Sequence, residues 1–395
     1  MNRAPRVATL AVGTEIVDGQ ISDRNSQWLS ARVVEFGYEV VEHRAVADDR
    51  QKILRSLTEL SHDVDVLFVT GGLGPTSDDF TRECVAEFLG EPLEWDEESW
   101  LNILERLKSR GATFTENQKQ QCYYPRSAQI LKNAMGTANG FTARTAKGIR
   151  IVSLPGPPRE IESIWRDGLS DVLKLSLPSY ERTLTLLRMM GLGEGALANR
   201  VEQIVDEALA VQPGIARPMI GYRAHAPYVE IKFWADPSQT KVVALAAKAI
   251  RHEFSEILVN EGKADVADDV LARISTEGLA GIKTLILDGV TQGQLYSRLL
   301  ARATELKDAH ALHQLAENCT CVIANSVDVA TDKLKPEAKT SVLSLAVGSD
   351  DKKLLVGRGA REKVVELPTL AGLLRTERGR TWATEIALRE WSRTT

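Results

Sequence analysis

The chain has 395 residues, 43% of them hydrophobic and 26% charged, and a net charge of −5 from 49 basic and 54 acidic side chains. That composition is ordinary for a soluble globular protein and excludes collagen-like, disordered and coiled-coil classes; the length predicts two or three domains, each able to bury a core unaided. Acidic and basic residues are mixed along the chain, so no clustered basic face for nucleic acid is expected.

Taken in order, Val7–Val12 is a short apolar run that predicts a strand, and Asp23–Phe36 a helix with Leu29, Val33 and Phe36 on one face and Gly37 at its stop. Tyr38–Val46 predicts a second strand, Asp49–Ser61 a helix, and Val64–Thr70 a third strand, followed by a glycine loop and a helix through Leu89. Strand, helix, strand, helix, strand predicts an α/β unit with a parallel sheet. A helix over Glu97–Arg110, strands at Gly140–Thr145 and Ile149–Leu154, and a helix from Arg159 to about Leu175 complete residues 1–177. Ser176–Tyr180 reads as a linker to a small α+β domain over 181–260. In it, Leu184–Met190, Pro218–Tyr222 and Tyr228–Ala235 predict strands, and Ala196–Ala210 and Lys241–Ile257 helices. Residues 264–395 read as a third domain, opening with a helix at Val266–Thr276 and a strand at Thr284–Leu287 and closing with two basic amphipathic helices.

Cys84, Cys122, Cys319 and Cys321 match no paired zinc spacing and read as reduced, buried thiols. No stretch reaches the ~18 uninterrupted apolar residues of a membrane span, and Val7–Val12 is too short for a secretory segment. A cytoplasmic protein with no membrane and no nucleic-acid partner is expected.

The sharpest chemical signal is Gly71-Gly72-Leu73-Gly74-Pro75-Thr76-Ser77-Asp78-Asp79. It follows a predicted buried strand, where open parallel sheets bind ligands. Glycines let N–H groups turn toward a phosphate, and the next helix offers its N-terminus to an anion. Asp78 and Asp79 would repel that phosphate unless a cation bridged them, as Mg²⁺ does between carboxylates and substrate phosphates. The plain alternative is structural: Thr76-x-x-Asp79 is also a capping box, and the glycines also suit a tight turn. Parallel strands bring Glu15, Asp48 and Asp49 to the same sheet edge, although Asp49 also reads as a helix cap. Asn25, Arg82, Lys119 and Arg159 are candidate donors to phosphate or ribose. Pro155-Gly156-Pro157-Pro158 predicts a rigid second wall. Gly191-Leu192-Gly193-Glu194-Gly195 lacks the full dinucleotide fingerprint and reads as a strand-to-helix loop. The six histidines are scattered, and Tyr296, Trp382 and Trp391 read as packing residues.

Five motifs then stand in order between Gly13 and Glu160: Gly13-Thr14-Glu15-Ile16 with Asn25-Ser26 and Trp28-Leu29, Thr70–Arg82, Asn117–Gln120, Gly136–Phe141, and Leu154-Pro155-Gly156-Pro157-Pro158-Arg159-Glu160. Together they resemble the CinA family (competence/damage-inducible protein A). The resemblance implies an α/β/α sandwich with the molybdopterin-binding fold, then a small α+β domain and a C-terminal α/β domain, in a homodimer. It implies a metal-dependent nucleotide pyrophosphatase that splits ADP-ribose into AMP and a phosphorylated remainder, with related members that also split FAD or coenzyme A. Catalysis would fall to Asp78, Asp79 and Glu15, and substrate binding to Gly71, Gly72, Gly74, Thr76, Asn25, Lys119, Gly156 and Arg159. Asp48, Asp78 and Asp79 would hold a divalent metal (Mg, Mn or Co), with K⁺ as an accessory cation. Gln118 departs from the family's frequent arginine.

Full-length members of that family carry a C-terminal nicotinamide mononucleotide amidohydrolase with a Glu-Ser-Cys-Thr-Gly-Gly nucleophile motif. The matching stretch here is Asp288-Gly289-Val290-Thr291-Gln292-Gly293, so Gly289 replaces the serine. Asn325-Ser326 stands near the family's Tyr-Ser, Ala330 takes the lysine position, and Gly348–Lys353 replaces the glycine-rich loop. Nucleophile and base are both missing, so no deamidase activity is expected. Two other readings remain open: a module that binds or transfers a molybdopterin-type ligand, and a non-catalytic partner protein.

Overall fold

The computed structural model describes residues 3–177, 180–225, 227–262, 265–288, 291–323, 340–347, 353–358, 361–366 and 377–393. The chain divides into two compact units, Met1–Arg182 and Thr183–Thr395.

In the first unit the elements run β1 (Arg6–Val12), α1 (Thr14–Val17), α2 (Arg24–Glu35), β2 (Glu39–Val46), α3 (Arg50–Leu60), β3 (Val66–Thr70), α4 (Thr81–Leu89), β4 (Leu93–Trp95), α5 (Glu97–Ser109), a 3₁₀ turn (Glu116–Cys122), β5 (Tyr123–Pro125), β6 (Gln129–Leu131), β7 (Gly140–Arg144), β8 (Arg150–Leu154), α6 (Pro158–Ile164) and α7 (Ser170–Ser176). The main sheet has the order β2-β1-β3-β8-β7-β6. Its first four strands are parallel; β7 pairs antiparallel with both β8 and β6. The sheet is therefore mixed, where the sequence predicted a parallel one. The turn at Lys147-Gly148 joins β7 to β8 as a hairpin, and a hairpin forces neighbouring strands antiparallel.

Both faces of this sheet are covered, which is why its central strands read as continuous apolar runs. Ala8, Leu10 and Val12 of β1 and Leu67 and Val69 of β3 pack with Ile53 and Leu57 of α3 and Val85 of α4. The alternate residues Val7, Val66 and Phe68 pack with Leu29 and Val33 of α2 and Ile161 and Ile164 of α6. Each such buried side chain contributes about 2 kcal/mol of transfer free energy. The result is the expected α/β/α sandwich. Helix starts are set by side-chain caps: Asp23, Asp49 and Asp96 accept the N–H of Ser26, Lys52 and Ser99. Gly37, at φ +80, ends α2 as predicted.

The second unit opens with β9 (Thr183–Met190), α8 (Glu194–Ala210), β10 (Met219–His225), β11 (Tyr228–Ala235), α9 (Thr240–Glu253) and β12 (Leu258–Glu261). These strands form an antiparallel sheet ordered β10-β11-β9-β12, and α8 and α9 bury Val201, Val205, Val243 and Ile250 beside it. The Gly191–Gly195 stretch is the β9-to-α8 loop, with Gly193 at the N-cap. The unit continues with α10 (Val266–Leu279), β13 (Lys283–Asp288), α11 (Gln294–Glu305), α12 (Ala309–Asn318), β14 (Cys319–Ile323), β15 (Thr340–Val347), β16 (Lys353–Arg358), β17 (Arg361–Glu366) and α13 (Glu377–Arg393). Its sheet is β14-β13-β15-β16-β17, parallel around β13 and antiparallel beyond β15. Of the two closing helices expected, the described residues contain one, α13, preceded by the β16–β17 hairpin.

Trp391 is buried in the core of this part of the chain, and Tyr296 and Trp382 pack against it, as predicted. That core also takes in Met190 of β9, with Tyr228 and Val259 packed on it. A charged seam runs alongside. The Tyr228 hydroxyl donates to Glu385, and Arg298 reaches both Glu385 (2.8 Å) and Asp265 (2.7 Å). All four cysteines are free; burial pushes Cys84, Cys122 and Cys321 up to about 11 and Cys319 to about 12. Among the described residues no helix is long and apolar enough to cross a membrane.

Candidate functional site

A cleft of about 720 Å³ opens where β1, β2, β3 and β8 deliver their C-terminal ends, and loops from all four strands line it. The parallel order β2-β1-β3-β8 forces this convergence.

The glycine loop after β3 forms the cleft floor. Gly71 and Gly72 adopt φ +92 and +65, and a Cβ there would stand 2.1 Å from the Val12 carbonyl and 2.1 Å from Thr81 Oγ. Only glycine fits both demands. The loop carbonyls are tied back into the protein. Gly72 O accepts from the Thr81 N–H (3.1 Å), and Leu73 O from Arg82 Nη2 (2.6 Å) and Gln121 Nε2 (3.3 Å). Gln120 Nε2 donates to Gly74 O and Thr76 O, both at 3.0 Å. In a planar trans peptide the N–H points opposite to the C=O. The Leu73 and Gly74 N–H groups are therefore turned the other way, and among the described residues neither has a hydrogen-bond partner. Both residues line the cleft. Successive free N–H groups of this kind make an anion nest.

Four carboxylates join them: Glu15, Asp48, Asp78 and Asp79 all line the cleft. Asp79 Oδ2 accepts the Thr76 N–H (2.9 Å) and hydroxyl (2.5 Å). Thr76 and Asp79 are paired as the capping-box pattern predicts, but α4 starts later, at Thr81, so the pair shapes the loop rather than a helix end. Hydrogen bonding from Thr76, and then from its own backbone N–H, holds the exposed Asp78 carboxyl below its ordinary value. Asp48 is bonded to Thr14, whereas Asp49 caps α3 and does not line the cleft.

The remaining candidates divide. Asn25 Nδ2 donates to Gly156 O at 2.7 Å, so these two predicted binding residues brace one another on the far wall. Thr76, Lys119 and Arg159 do not line the cleft. Lys119 pairs with Glu116 at 2.7 Å and lies 6.0 Å over the Trp100 ring, while Arg159 is exposed on the first turn of α6. Arg82 is 1% exposed and points at the underside of the loop, so it is no direct donor to a ligand. Glu160 was missed. It lines the cleft, accepts from Asn133 Nδ2 at 2.6 Å, and burial raises its pKa. In the sequence it looked like an ordinary acidic residue in a helix first turn.

Among the described residues no three His, Cys, Asp or Glu side chains converge to hold a metal ion. The cleft carboxylates are hard oxygen donors, and they fit a cation whose shell is completed by water and ligand phosphate oxygens. In the second unit, buried Asp288 accepts from the N–H groups of Thr291 (2.6 Å) and Gly293 (2.8 Å). Gly289, Asn325-Ser326, Ala330 and 348–352 lie outside the described residues.

A family model described as "Probable molybdopterin binding domain" matches residues 8–174, the span that builds this cleft. A CinA-like protein of Anaeromyxobacter dehalogenans is 34% identical over 277 residues, 69% of this chain and 65% of the relative. A competence-damage inducible protein of Clostridium botulinum is 30% identical over 291 residues, 74% of this chain and 69% of the relative. The chain belongs to the CinA family. It spans about two thirds of the length of these CinA relatives. The crystal structure of the protein CinA from Thermoplasma acidophilum superposes with a TM-score of 0.40 at 29% identity, covering 43% of this chain and 98% of that one.

Proposed function

We propose that the first unit is a metal-dependent nucleotide pyrophosphatase that hydrolyses ADP-ribose-like dinucleotides or FAD to AMP and a phosphorylated remainder, and coenzyme A to adenosine 3′,5′-bisphosphate and a phosphorylated remainder. The observation that carries this reading is the glycine loop, whose Leu73 and Gly74 N–H groups are turned away from Thr81 and Arg82, beside a cleft rimmed by Glu15, Asp48, Asp78 and Asp79. The N–H groups suit phosphoanhydride oxygens. Carboxylates beside phosphate call for a bridging cation, so one or two of Asp48, Asp78 and Asp79, with water and phosphate oxygens, would hold a divalent metal (Mg, Mn or Co), with K⁺ as an accessory. When bound, such a metal supplies Lewis-acid polarisation of a phosphoryl oxygen.

Water oxygen bonds to one phosphorus as the bridging P–O bond breaks, and the bridging oxygen leaves on the other phosphate. Glu15 takes the proton of the attacking water. Asn25 and Gly156 hold the far wall against the ligand. The chain would act in the cytoplasm, as a homodimer, on a small-molecule nucleotide. With Gly289 and Ala330 at the nucleophile and base positions, the second unit would release no ammonia from nicotinamide mononucleotide.

A second reading draws on the molybdopterin-binding description of the matched family model. In it the same nest grips the phosphate of a pterin. The deciding experiment incubates the purified chain with ADP-ribose, FAD, coenzyme A and nicotinamide mononucleotide, with and without divalent metal. Metal-dependent AMP, abolished by Asp78→Ala without loss of folding, supports the pyrophosphatase. No AMP, with a fluorescent pterin copurifying, supports the carrier. Ammonia release overturns the inactive deamidase.

A further inference from the structure

Arg82 lies at the start of α4, 1% exposed, with its Nη2 2.6 Å from the Leu73 carbonyl. Its Nε–H is buried without a partner, and among the described residues no carboxylate comes within 4.0 Å. Asp79 and Glu83 attract it from beyond hydrogen-bond reach, and the Tyr124 phenol and the Cys122 thiol also lie around it. Burial keeps both of those protonated. A guanidinium stays charged in proteins, and an isolated buried charge is costly. Among the described residues no carboxylate in hydrogen-bond contact repays that cost.

The position of the group suggests what does. Arg82 sits at the carbonyl end of the Leu73–Gly74 peptide unit, whose N–H end is the free donor on the cleft side. A cation at the oxygen end fixes that peptide's orientation and polarises its N–H toward an anion. With the acidic rim around it, a buried positive charge behind the nest adds to the attraction for phosphate.

We propose that Arg82 is a positioning residue for the nest: its counter-charge is the phosphate group of the bound ligand, which it attracts through the Leu73–Gly74 peptide without touching it. The proposal rests on the reading that places phosphate at this loop, and it extends that reading to any ligand with a phosphate group.

The test uses Arg82→Met and Arg82→Lys in the full chain, with inorganic phosphate, ADP-ribose and uncharged adenosine as probes. Affinities are measured calorimetrically, and Tm is measured without ligand. In Arg82→Met, phosphate and ADP-ribose should bind about tenfold more weakly or worse, as expected for loss of a hydrogen bond to a charged group. Adenosine binding should be unchanged, and Tm without ligand should hold or rise, because a buried charge has gone. Arg82→Lys should retain part of the phosphate affinity. A lower Tm with unchanged phosphate affinity makes Arg82 a packing residue and overturns the proposal. Should the Met variant not fold, the wild type decides: the protected Arg82 Nε–H signal in ¹⁵N–¹H spectra must shift with phosphate and not with adenosine, and a signal blind to phosphate overturns the proposal. Wild-type protein that releases no AMP, yet loses phosphate binding in Arg82→Met, keeps this inference and drops the hydrolase. Wild-type protein that binds neither phosphate nor ADP-ribose overturns it.

Discussion

Asp48 and Thr14 clasp one another across two strands. Asp48 Oδ2 takes the Thr14 N–H at 2.8 Å and its hydroxyl at 2.9 Å, and the Asp48 N–H returns to Thr14 Oγ at 3.2 Å. The clasp fixes the loop that carries Glu15. Asp48→Ala should lose about 1 kcal/mol per broken bond and drop AMP release at least tenfold. Thr14→Val breaks most of the clasp and keeps the carboxylate. Equal losses in the two variants assign Asp48 to loop support, whereas wild-type turnover in Thr14→Val alone assigns it to ligand or metal.

Gly72 is the position where a methyl group does most harm. A Cβ there would lie 2.1 Å from Thr81 Oγ on a backbone at φ +65. Gly72→Ala should cost about 1–3 kcal/mol and displace the nest, so Tm and turnover fall together. An alanine variant with wild-type Tm and AMP release would refute this account of the loop.

Glu160 should leave a signature in the pH dependence of stability. Burial raises its folded pKa above the ordinary carboxylate value. Between those two values the folded chain keeps a proton that the unfolded chain has lost, so stability falls as pH rises through that window. Glu160→Gln has no such proton, and its stability, followed by urea unfolding from pH 4 to 7, should be flatter than wild type there.

Glu230 predicts the opposite slope for the second unit. Burial alone would raise its pKa, but Lys232 at 3.0 Å and His225 at 3.1 Å overcome that and hold it at about 2. Its stabilisation is present above the unfolded value of ~4.3 and is lost as pH falls toward the folded one. Glu230→Gln should remove this part of the acid sensitivity. The check is acid unfolding between about pH 4.5 and 2, and an unaltered acid midpoint would count against the ion cluster.

The α/β order of the first unit was legible because β1 and β3 are apolar runs ended by glycine and α2 and α3 start at capping aspartates, and these signals are local. The sheet's reversal at β7 lies in the short connection through Lys147-Gly148, too short for the crossover a parallel pair needs, and strand–helix alternation alone does not show it. At the site, the loops after β1, β2 and β3 were placed correctly because parallel strands share one edge. Arg82, Lys119 and Arg159 look alike in sequence, as basic residues near glycine or proline turns. Only packing separates a cation buried beneath a loop from one paired on a 3₁₀ turn and one in solvent. Glu160 escaped notice for the same reason, since burial is set by Asn133 and Gly136 arriving from a distant stretch.

The shared core of Met190, Tyr228 and Trp391, with Arg389 of α13 reaching the Glu256 carbonyl at 3.0 Å, bears on how this chain can change over time. A terminal module joined by a bare tether can be discarded once its chemistry lapses. Here, cutting the chain after residue 262 would strip Met190 of its packing and leave Tyr228 without its carboxylate acceptor. The C-terminal elements therefore cannot be removed without damage to the fold of the residues before them, whatever chemistry those elements carry.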